Sequence, residues 1–532
     1  MNFSSTKISY RNTNSFSGLV LDYLDDAEHL KKFYRFPTNI EGLKQAIKER
    51  KNFPVNRSVL FSQIQQRYKN IQISEKLQTN IEALLRENTF TVCTAHQPNI
   101  FTGHLYFIYK ILHAIKLSDE LSNLIPENKF VPVYYMGSED ADLDELGEVN
   151  VNGAHYKWQT TQSGAVGRML IDEDFIKIID AIAGQLSVEK FGEEILIAVR
   201  GCYVKNVTVE IATFHFVHYL FNKYGLVILM PDDKIFKNEF ATVIKRELIE
   251  QFSEKAVVAT VSKFPNEYKV QAVGREINFF YLQENSRERI EKNGSGFKVA
   301  NTNLAFSEQE MVAEVSENAE RFSPNVILRP VFQETILPNI AFIGGGGEIA
   351  YWLELKEVFT QTNTFFPPLI LRNSFTIIDK KTSDKISSLD FNQSDIFKTE
   401  AKLLEEIVLK ESNKRLDIKE EKEAIKIIYD QIKDVAAAVD NSLNCHVHAL
   451  RTQVLNKLEI LEKKILKAEK KKFEAQQRQI KKIKSQVNPL GNLQERVDNV
   501  LQYLAKNGAS FIDMLYEKQP VFSAEFTILT EQ

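Results

Sequence analysis

Hydrophobic and polar positions change their spacing several times along this chain, and each change predicts a different element. Thr91-Val92-Cys93-Thr94 reads as a short buried strand and His96-Gln97-Pro98-Asn99 as the turn that follows it. At Phe101-Thr102-Gly103-His104 a helix of apolar periodicity opens and runs through Tyr106, Tyr109, Lys110, His113 and Leu117. Val131 to Met136 predicts a second buried strand, ending in Ser138-Glu139-Asp140-Ala141-Asp142. In an open α/β sheet, both segments deliver polar groups to the carboxyl edge, where ligands bind. Strand spacing returns at Leu226-Val227-Ile228-Leu229, after a helix from Val207 to Phe221, and again at Val326-Ile327-Leu328 and Leu369-Ile370-Leu371.

The pattern differs on either side of this core. Residues 20–90 predict mostly helix, with an early run from Ala27 that stops before Pro37. Residues 150–315 mix short alternating segments with helices, which suggests inserted subdomains. After about residue 395 the character changes. Ile425, Ile428, Ile432 and Val435 mark one helix, Asp440-Asn441-Ser442 a turn, and Val447, Leu450, Val454, Leu458, Leu461, Ile465 and Ala468 a second helix. That alternation is a coiled-coil seam, and it predicts a helical hairpin arm that ends at Pro489. From Lys463 to Lys484 the arm is rich in lysine, which makes either a solvated face or a surface for an anionic partner.

Composition narrows the class. A chain of 532 residues exceeds one ordinary core, and 43% hydrophobic with 26% charged residues is globular content. A net charge of −4 gives no pull toward nucleic acid. No apolar run reaches membrane-spanning length, and Met1-Asn2-Phe3-Ser4 opens no signal-peptide region. Three scattered cysteines make neither a disulfide framework nor a zinc knuckle, so the expected compartment is the cytoplasm, with no membrane partner.

Three constellations carry candidate chemistry. A helix starting near Thr102-Gly103 offers unpaired N–H groups to a phosphate or carboxylate. Phe101-Thr102-Gly103-His104 is also like the His-Ile-Gly-His signature of class I aminoacyl-tRNA synthetases and nucleotidyltransferases, with Phe101 in place of the first histidine. Glu139, Asp140 and Asp142 crowd three carboxylates after a strand, either as an acidic helix start or as a site for an amine, a metal or a proton. Gly344 to Gly347 permit a backbone nest or a flexible turn, without the P-loop lysine or the spacing of a dinucleotide fingerprint. Arg372 and Ser374 leave a strand end toward the same edge. His215 and His218 lie among Phe214, Phe216 and Val217 and read as core, as does Cys93. No Ser-His-Asp or Cys-His arrangement can be traced.

Several segments together resemble one family, the cysteine-adding enzymes of bacillithiol biosynthesis, or BshC cysteine ligases. They are Gln97 through Phe101-Thr102-Gly103 to Leu105-Tyr106 and Lys110; Ser138-Glu139-Asp140; Leu328-Arg329-Pro330, Gln333 and Leu337-Pro338; Gly347-Glu348-Ile349-Ala350-Tyr351-Trp352; and Arg372-Asn373-Ser374. Asp22-Tyr23-Leu24, Phe33-Tyr34, Leu461-Glu462-Lys463-Lys464 and Leu493-Gln494-Glu495-Arg496 extend the resemblance over nearly the whole chain. It implies an α/β fold: a Rossmann-like parallel-sheet core of the class I synthetase or nucleotidyltransferase kind, inserted connecting-peptide subdomains, and an α-helical coiled-coil arm used for homodimerisation. The chain then divides into a helical segment at 1–90, core at 91–150, inserted subdomains at 151–315, and core again at 316–395. The arm follows at 396–489, and a segment at 490–532 packs back on the body.

The implied reaction joins L-cysteine to the amine of glucosaminyl-malate through an amide bond. A free carboxylate must be activated for this, so fold analogy brings in ATP or another nucleotide, with Mg²⁺ as a companion and no zinc. His104, Glu139, Asp140 and Asp142 are then the candidate catalytic residues. Candidates for substrate or nucleotide binding are Gln97, Asn99, Thr102, Gly103, Tyr106, Lys110, Ser138, Gln333, Gly346, Gly347, Glu348, Tyr351, Arg372 and Ser374. Within these sets, Gln97, Thr102, Gly103 and His104 would take the phosphate or carboxylate of the activated substrate. Glu139, Asp140 and Asp142 would hold the cysteine amine or Mg²⁺, or receive the attacking amine's proton. Gly346, Gly347, Glu348 and Tyr351 would line the acceptor pocket, and Arg372 would neutralise a carboxylate such as malate's. The chain departs from the family pattern at Ala95-His96 (usually Gly-Gln), His104 (usually Pro), Ala141 (usually His), Glu334 (usually Asp) and Gly346 (usually Pro). Two other readings stay open: an amino-acid-activating nucleotidyltransferase with another acceptor, and a non-catalytic scaffold whose arm binds RNA or a protein.

Overall fold

The computed structural model describes residues 2–532. It divides into two compact units. One runs to Thr376 and takes in Asn492–Leu529; the other comprises Ile377–Gly491 with Thr530–Gln532.

The first unit is built on a parallel sheet of five strands: β1 (Thr89–His96), β2 (Lys129–Met136), β3 (Val227–Leu229), β4 (Asn339–Gly344) and β5 (Leu369–Leu371), in the spatial order β5-β4-β1-β2-β3. Every adjacent pair is parallel, with Cys93 of β1 opposite both Phe342 of β4 and Val133 of β2. The strands are buried almost throughout, which is why they read as apolar runs and not as alternating patterns. Helix α1 (Leu105–Leu124) is the crossover from β1 to β2 and packs on both. Ala114, Leu117 and Leu121 on α1 join Phe90, Val92, Phe130, Ile340 and Ile343 in one dry cluster. The strand order reverses at β1, between β2 and β4. That switch opens a crevice at the carboxyl edge.

One strand expectation fails. Val326-Ile327-Leu328 is a turn, in which the Asn325 side chain accepts from the Ile327 N–H at 2.9 Å. Helix α3 (Arg329–Ile336) follows, with a proline in its first turn. Proline there fits a helix start, because that N–H has no intrahelical partner anyway. The core strand in this region is instead β4, beyond Leu337-Pro338. Between β3 and α3, five antiparallel strands form a second sheet, ordered Ala305–Phe306, Gly296–Val299, Ser286–Asn293, Phe279–Gln283 and Phe322–Pro324. Helix α2 (Lys234–Glu239) directly follows β3, and helix α4 (Gly346–Leu353) directly follows β4.

The second unit contains the helical hairpin: α5 (Lys419–Val439), α6 (Leu443–Lys470) and, after a short 3₁₀ turn, α7 (Glu474–Val487). Ion pairs cross the hairpin from Lys422 to Glu462 at 2.5 Å and from Asp430 to Arg451 at 2.7 Å. At its base, Leu403, Leu404, Ile407, Val408 and Ile480 make a small core. No residue of α5 is buried. Among the described residues, no helix is long and apolar enough to cross a membrane.

Candidate active site

A cavity of about 390 Å³ opens at the carboxyl edge of the sheet, inside the first unit. The end of β1 contributes His96 and Gln97, and the end of β2 contributes Tyr135, Gly137, Glu139 and Asp140. Gly345 to Glu348 and Tyr351 line it from α4, Arg329 from α3, and Arg372 from just past β5. Arg287 reaches in from the antiparallel sheet and Arg496 from the C-terminal segment.

The α4 wall is held from below. Lys110 on α1 is buried and donates to the Ala95 carbonyl at 2.5 Å and to Glu348 Oε2 at 2.6 Å. The same Glu348 oxygen accepts the Gly345 N–H at 2.8 Å, which closes the first turn of α4. Burial pushes the Lys110 ammonium below its usual value, with Glu348 opposing. Lys110 is therefore the support under Glu348, and Gly346 and Gly347 present the start of a helix to the cavity.

Opposite lies a second charge cluster. Glu139 Oε1 accepts from Lys237 Nζ, and Lys237 also donates to Asp232 at 2.8 Å and to the Glu320 carbonyl at 2.9 Å. Arg168 grips Asp232 through two bonds, at 2.7 and 2.8 Å. Asp232 follows β3 and Lys237 lies on α2, so a strand-to-helix turn builds this cluster as well. Burial works against the Asp232 carboxylate, yet Lys237 and Arg168 hold it at about 2. Beside them, Gln97 Nε2 donates to Asp140 at 3.1 Å, and the other Asp140 oxygen accepts the Ala141 N–H at 2.8 Å.

The guanidinium groups divide into two kinds. Arg372 is committed: Nη2 pairs with Glu495 at 2.7 Å and Nη1 bonds Ser374 Oγ at 3.0 Å. Burial opposes its charge, but Glu495 outweighs it and keeps Arg372 charged. Arg329 bonds only neutral groups, Gln333 at 3.2 Å and the Tyr351 hydroxyl at 2.9 Å, and lies over the Tyr135 ring. Arg287 bonds Ser323 Oγ at 3.1 Å and stacks on Phe280 at 3.9 Å. Neither these two nor the exposed Arg496 has a carboxylate partner in an ion pair among the described residues. Half-buried guanidinium charges with no paired carboxylate, as at Arg329 and Arg287, call for an anion.

The strand–turn–helix expected to cradle an anion is used differently. Residues 497–499 lie along the start of α1: the Leu105 N–H bonds the Asp498 carbonyl at 2.9 Å, and His104 bridges to Asn499. Asn499 Nδ2 donates to the Phe101 and Gly103 carbonyls at 3.0 and 2.6 Å, and His104 Nδ1 lies 3.2 Å from the Val497 carbonyl. Asn99 and Thr102 are buried in the turn, while Gly103 takes a positive φ of 64° and a Cβ there would run into the Asn99 side chain. Asn99, Thr102, Gly103 and His104 are thus absent from the cavity lining, because the chain itself fills the place expected for a ligand. Asp142 also lies outside the lining; it caps the short helix Leu143–Leu146 through the Glu145 N–H at 3.2 Å.

The structure brings Gln97, Tyr106, Glu139, Asp140, Gly346, Gly347, Glu348, Tyr351 and Arg372 to the cavity. Lys110, Gln333 and Ser374 stand behind it, bonded to Glu348, Arg329 and Arg372 respectively. Ser138 is fully buried, against Gly167, whose N–H bonds the Ser138 carbonyl at 3.0 Å. The residues missed are His96, Arg287, Arg329, Arg496 and the Lys237–Asp232 pair. Asp232 had a usable signal, since it follows the buried run Leu226–Leu229 as Glu139 follows Val131–Met136. Arg287 had none. No group of three or more histidine, cysteine, aspartate or glutamate side chains converges on a metal position among the described residues.

Comparison with known proteins fits this architecture. The chain matches the family described as "Bacillithiol biosynthesis BshC, N-terminal Rossmann-like domain" over residues 3–373, and "Bacillithiol biosynthesis BshC, C-terminal coiled-coil domain" over residues 375–531. It is 39% identical over 516 residues to a protein of Cytophaga hutchinsonii, covering 97% of each chain. To one from Flavobacterium johnsoniae it is 38% identical over 525 residues, covering 98% of this chain and 99% of the relative. A Bacillus cereus protein is 26% identical over 527 residues, covering 94% and 96%. All three carry the name "Putative cysteine ligase BshC". A Rossmann-like sheet with its cavity at the strand-order switch, a helical hairpin arm and near full-length similarity lead to one conclusion: the chain belongs to the bacillithiol biosynthesis BshC family.

Proposed function

We propose that this chain is a ligase that joins L-cysteine to the amine of glucosaminyl-malate through an amide bond. One observation carries the reading: the cavity is bipolar. Arg287, Arg329 and Arg496 offer charge without carboxylate partners, while Glu139, Asp140 and Glu348 line the same space. An acceptor with carboxylates and a reacting amine, or an amino acid with both ends charged, matches such a surface. With Arg372 spent on Glu495, malate's carboxylates fall to Arg329 and Arg287.

Amide formation needs an activated acyl group. A nucleotide would supply it, with its phosphates on the free guanidinium groups and the Gly346 and Gly347 N–H groups. Magnesium is commonly held by one or two carboxylates plus phosphate oxygens, so such an ion would rely on the nucleotide for most of its ligands. In the arm, Ile428, Ile432, Val435 and Val439 are exposed, and covering them with a second copy makes a homodimer. The setting we propose is the cytoplasm.

Incubation of the purified protein with cysteine, glucosaminyl-malate and ATP-Mg²⁺ should give the amide, detected by mass spectrometry. Absence of product, together with unchanged bacillithiol in cells lacking the gene, would overturn the assignment. For the arm, I428K/I432K should convert dimer to monomer in light scattering; an unchanged mass would sink the dimer.

A further inference from the structure

Among the carboxylates lining the cavity, Glu139 has unusual surroundings. Both Asp140 oxygens accept hydrogen bonds, from Gln97 and from the Ala141 N–H. Glu348 is more open, at 26% side-chain exposure against 10% for Glu139. Oε1 of Glu139 is held by Lys237, while its Oε2 accepts no hydrogen bond among the described residues. Lys237 is 1% exposed and spends its three donors on Glu139, Asp232 and the Glu320 carbonyl. The ammonium therefore has no donor left for a ligand. Its work is done through its partners.

Charge counting shows what that work is. Lys237 and Arg168 balance Glu139 and Asp232, so the buried cluster is neutral with both carboxylates ionised. Asp232 is doubly secured, because Arg168 grips both of its oxygens. Glu139 depends on Lys237 alone for direct pairing. The other charged groups facing it are Arg287 from the antiparallel sheet, Asp232 after β3, and Asp140 next in the chain; Arg168 and Glu210 lie behind, around Asp232. Without Lys237 the cluster would carry a net negative charge in a dry place, and Glu139 would relieve it by taking a proton.

We infer that Lys237 is a positioning residue for amide formation: it holds Glu139 by one oxygen and keeps it ionised, so that the other oxygen receives the attacking amine's proton. In that step an N–H bond of the substrate's protonated amine breaks and an O–H bond forms on Glu139 Oε2, leaving a neutral, nucleophilic amine, while Lys237 keeps its three protons; nothing is oxidised or reduced. The inference rests on the ligase reading above.

The test uses the full chain and the amide assay, with pH profiles and infrared spectra of K237M, K237R, E139Q and K237M/E139Q. K237M should lower kcat about 100-fold, the scale of a lost general base. Its acid limb should move up by about one pH unit or more, because Glu139 then binds its proton more tightly. K237R should keep the wild-type limb. K237M should also show the absorption band of a buried protonated carboxyl, which K237M/E139Q lacks. The double variant removes one charge of each sign, so it should fold even where K237M is unstable. A K237M profile with the wild-type acid limb, or E139Q turning over at more than half the wild-type rate, would overturn the inference. If the wild-type chain forms no amide, the ligase reading fails. The infrared band still decides the pairing: its absence from K237M means that Lys237 does not set the charge of Glu139.

Discussion

Two buried lysines flank the cavity and face opposite electrostatic conditions. Lys110 meets one carboxylate, Glu348, and a backbone carbonyl. Lys237 meets two, Glu139 and Asp232, and a carbonyl. Burial alone would push both ammonium groups toward the neutral form. For Lys110 burial wins and its proton affinity falls; for Lys237 burial is outweighed by Glu139 and Asp232, and it rises. A second carboxylate within hydrogen-bond reach thus reverses the sign. Similar geometry at the nitrogen atom makes a supporting strut in one case and a fixed cation in the other.

The largest effect that separates them is on stability. K237M should cost about 3–5 kcal/mol, because it removes the cation between two buried carboxylates and forces Glu139 to take a proton. Urea unfolding of K237M beside K237M/E139Q checks this, and the double variant should recover part of the loss. K110M should cost less, about 1.5–3 kcal/mol, the scale of a hydrogen bond to a charged group, because Glu348 keeps the Gly345 N–H and some solvent. Equal losses would erase the distinction.

Alkaline pH sharpens it further, since the two lysines have opposite linkage. Lys237 has a folded-state value above the usual 10.5, so its stabilisation is complete below 10.5 and is lost as pH rises through the higher folded value. Lys110 lies below 10.5, so between its folded value and 10.5 the unfolded chain binds more protons and stability rises with pH. Compared with the matching methionine variant, wild type should gain stability with rising pH below 10.5 through Lys110 and lose it above 10.5 through Lys237; slopes of the same sign in the two windows would refute the contrast. The smallest effect is expected outside the cavity. H104A should cost only about 0.5–1.5 kcal/mol, the net worth of one hydrogen bond, and leave amide formation within about twofold of wild type. A loss of product far beyond the loss of folded protein would return His104 to the reaction.

The two lysines also mark what could be read from sequence. Lys110 lies in the second turn of α1, inside the strand–turn–helix that the spacing predicts, so its place was legible, whereas its pairing with Glu348, 238 residues on, was not. Glu139 and Asp140 were legible because polar residues stood directly after the buried run Val131–Met136, while Asp142, in the same run of carboxylates, turns out to be a helix cap. Lys237 and Glu139 lie 98 residues apart, and Arg372 and Glu495 lie 123 apart, so no local spacing announces either pair. Val326–Leu328 has a strand's composition, but Asn325 and Pro330 on either side impose a turn and a helix start. The resemblance of Phe101–His104 to a synthetase signature was real as a strand–turn–helix. Its expected ligand place is taken by residues 497–499, nearly 400 positions later, and only the folded chain shows it.

That late contact sets an order of events during synthesis. The hairpin arm, with Ile377–Gly491, interrupts a unit that finishes only with Asn492–Leu529. Ribosomes emit the sheet first, and domains generally fold as units as they emerge. Here the sheet is complete while Glu495 and Asn499 are still unmade, which leaves Arg372 without its counter-charge and the turn at Phe101–Gly103 uncapped. A nascent chain that stops inside the arm should therefore carry an open, protease-sensitive core, and the last forty or so residues act as its latch.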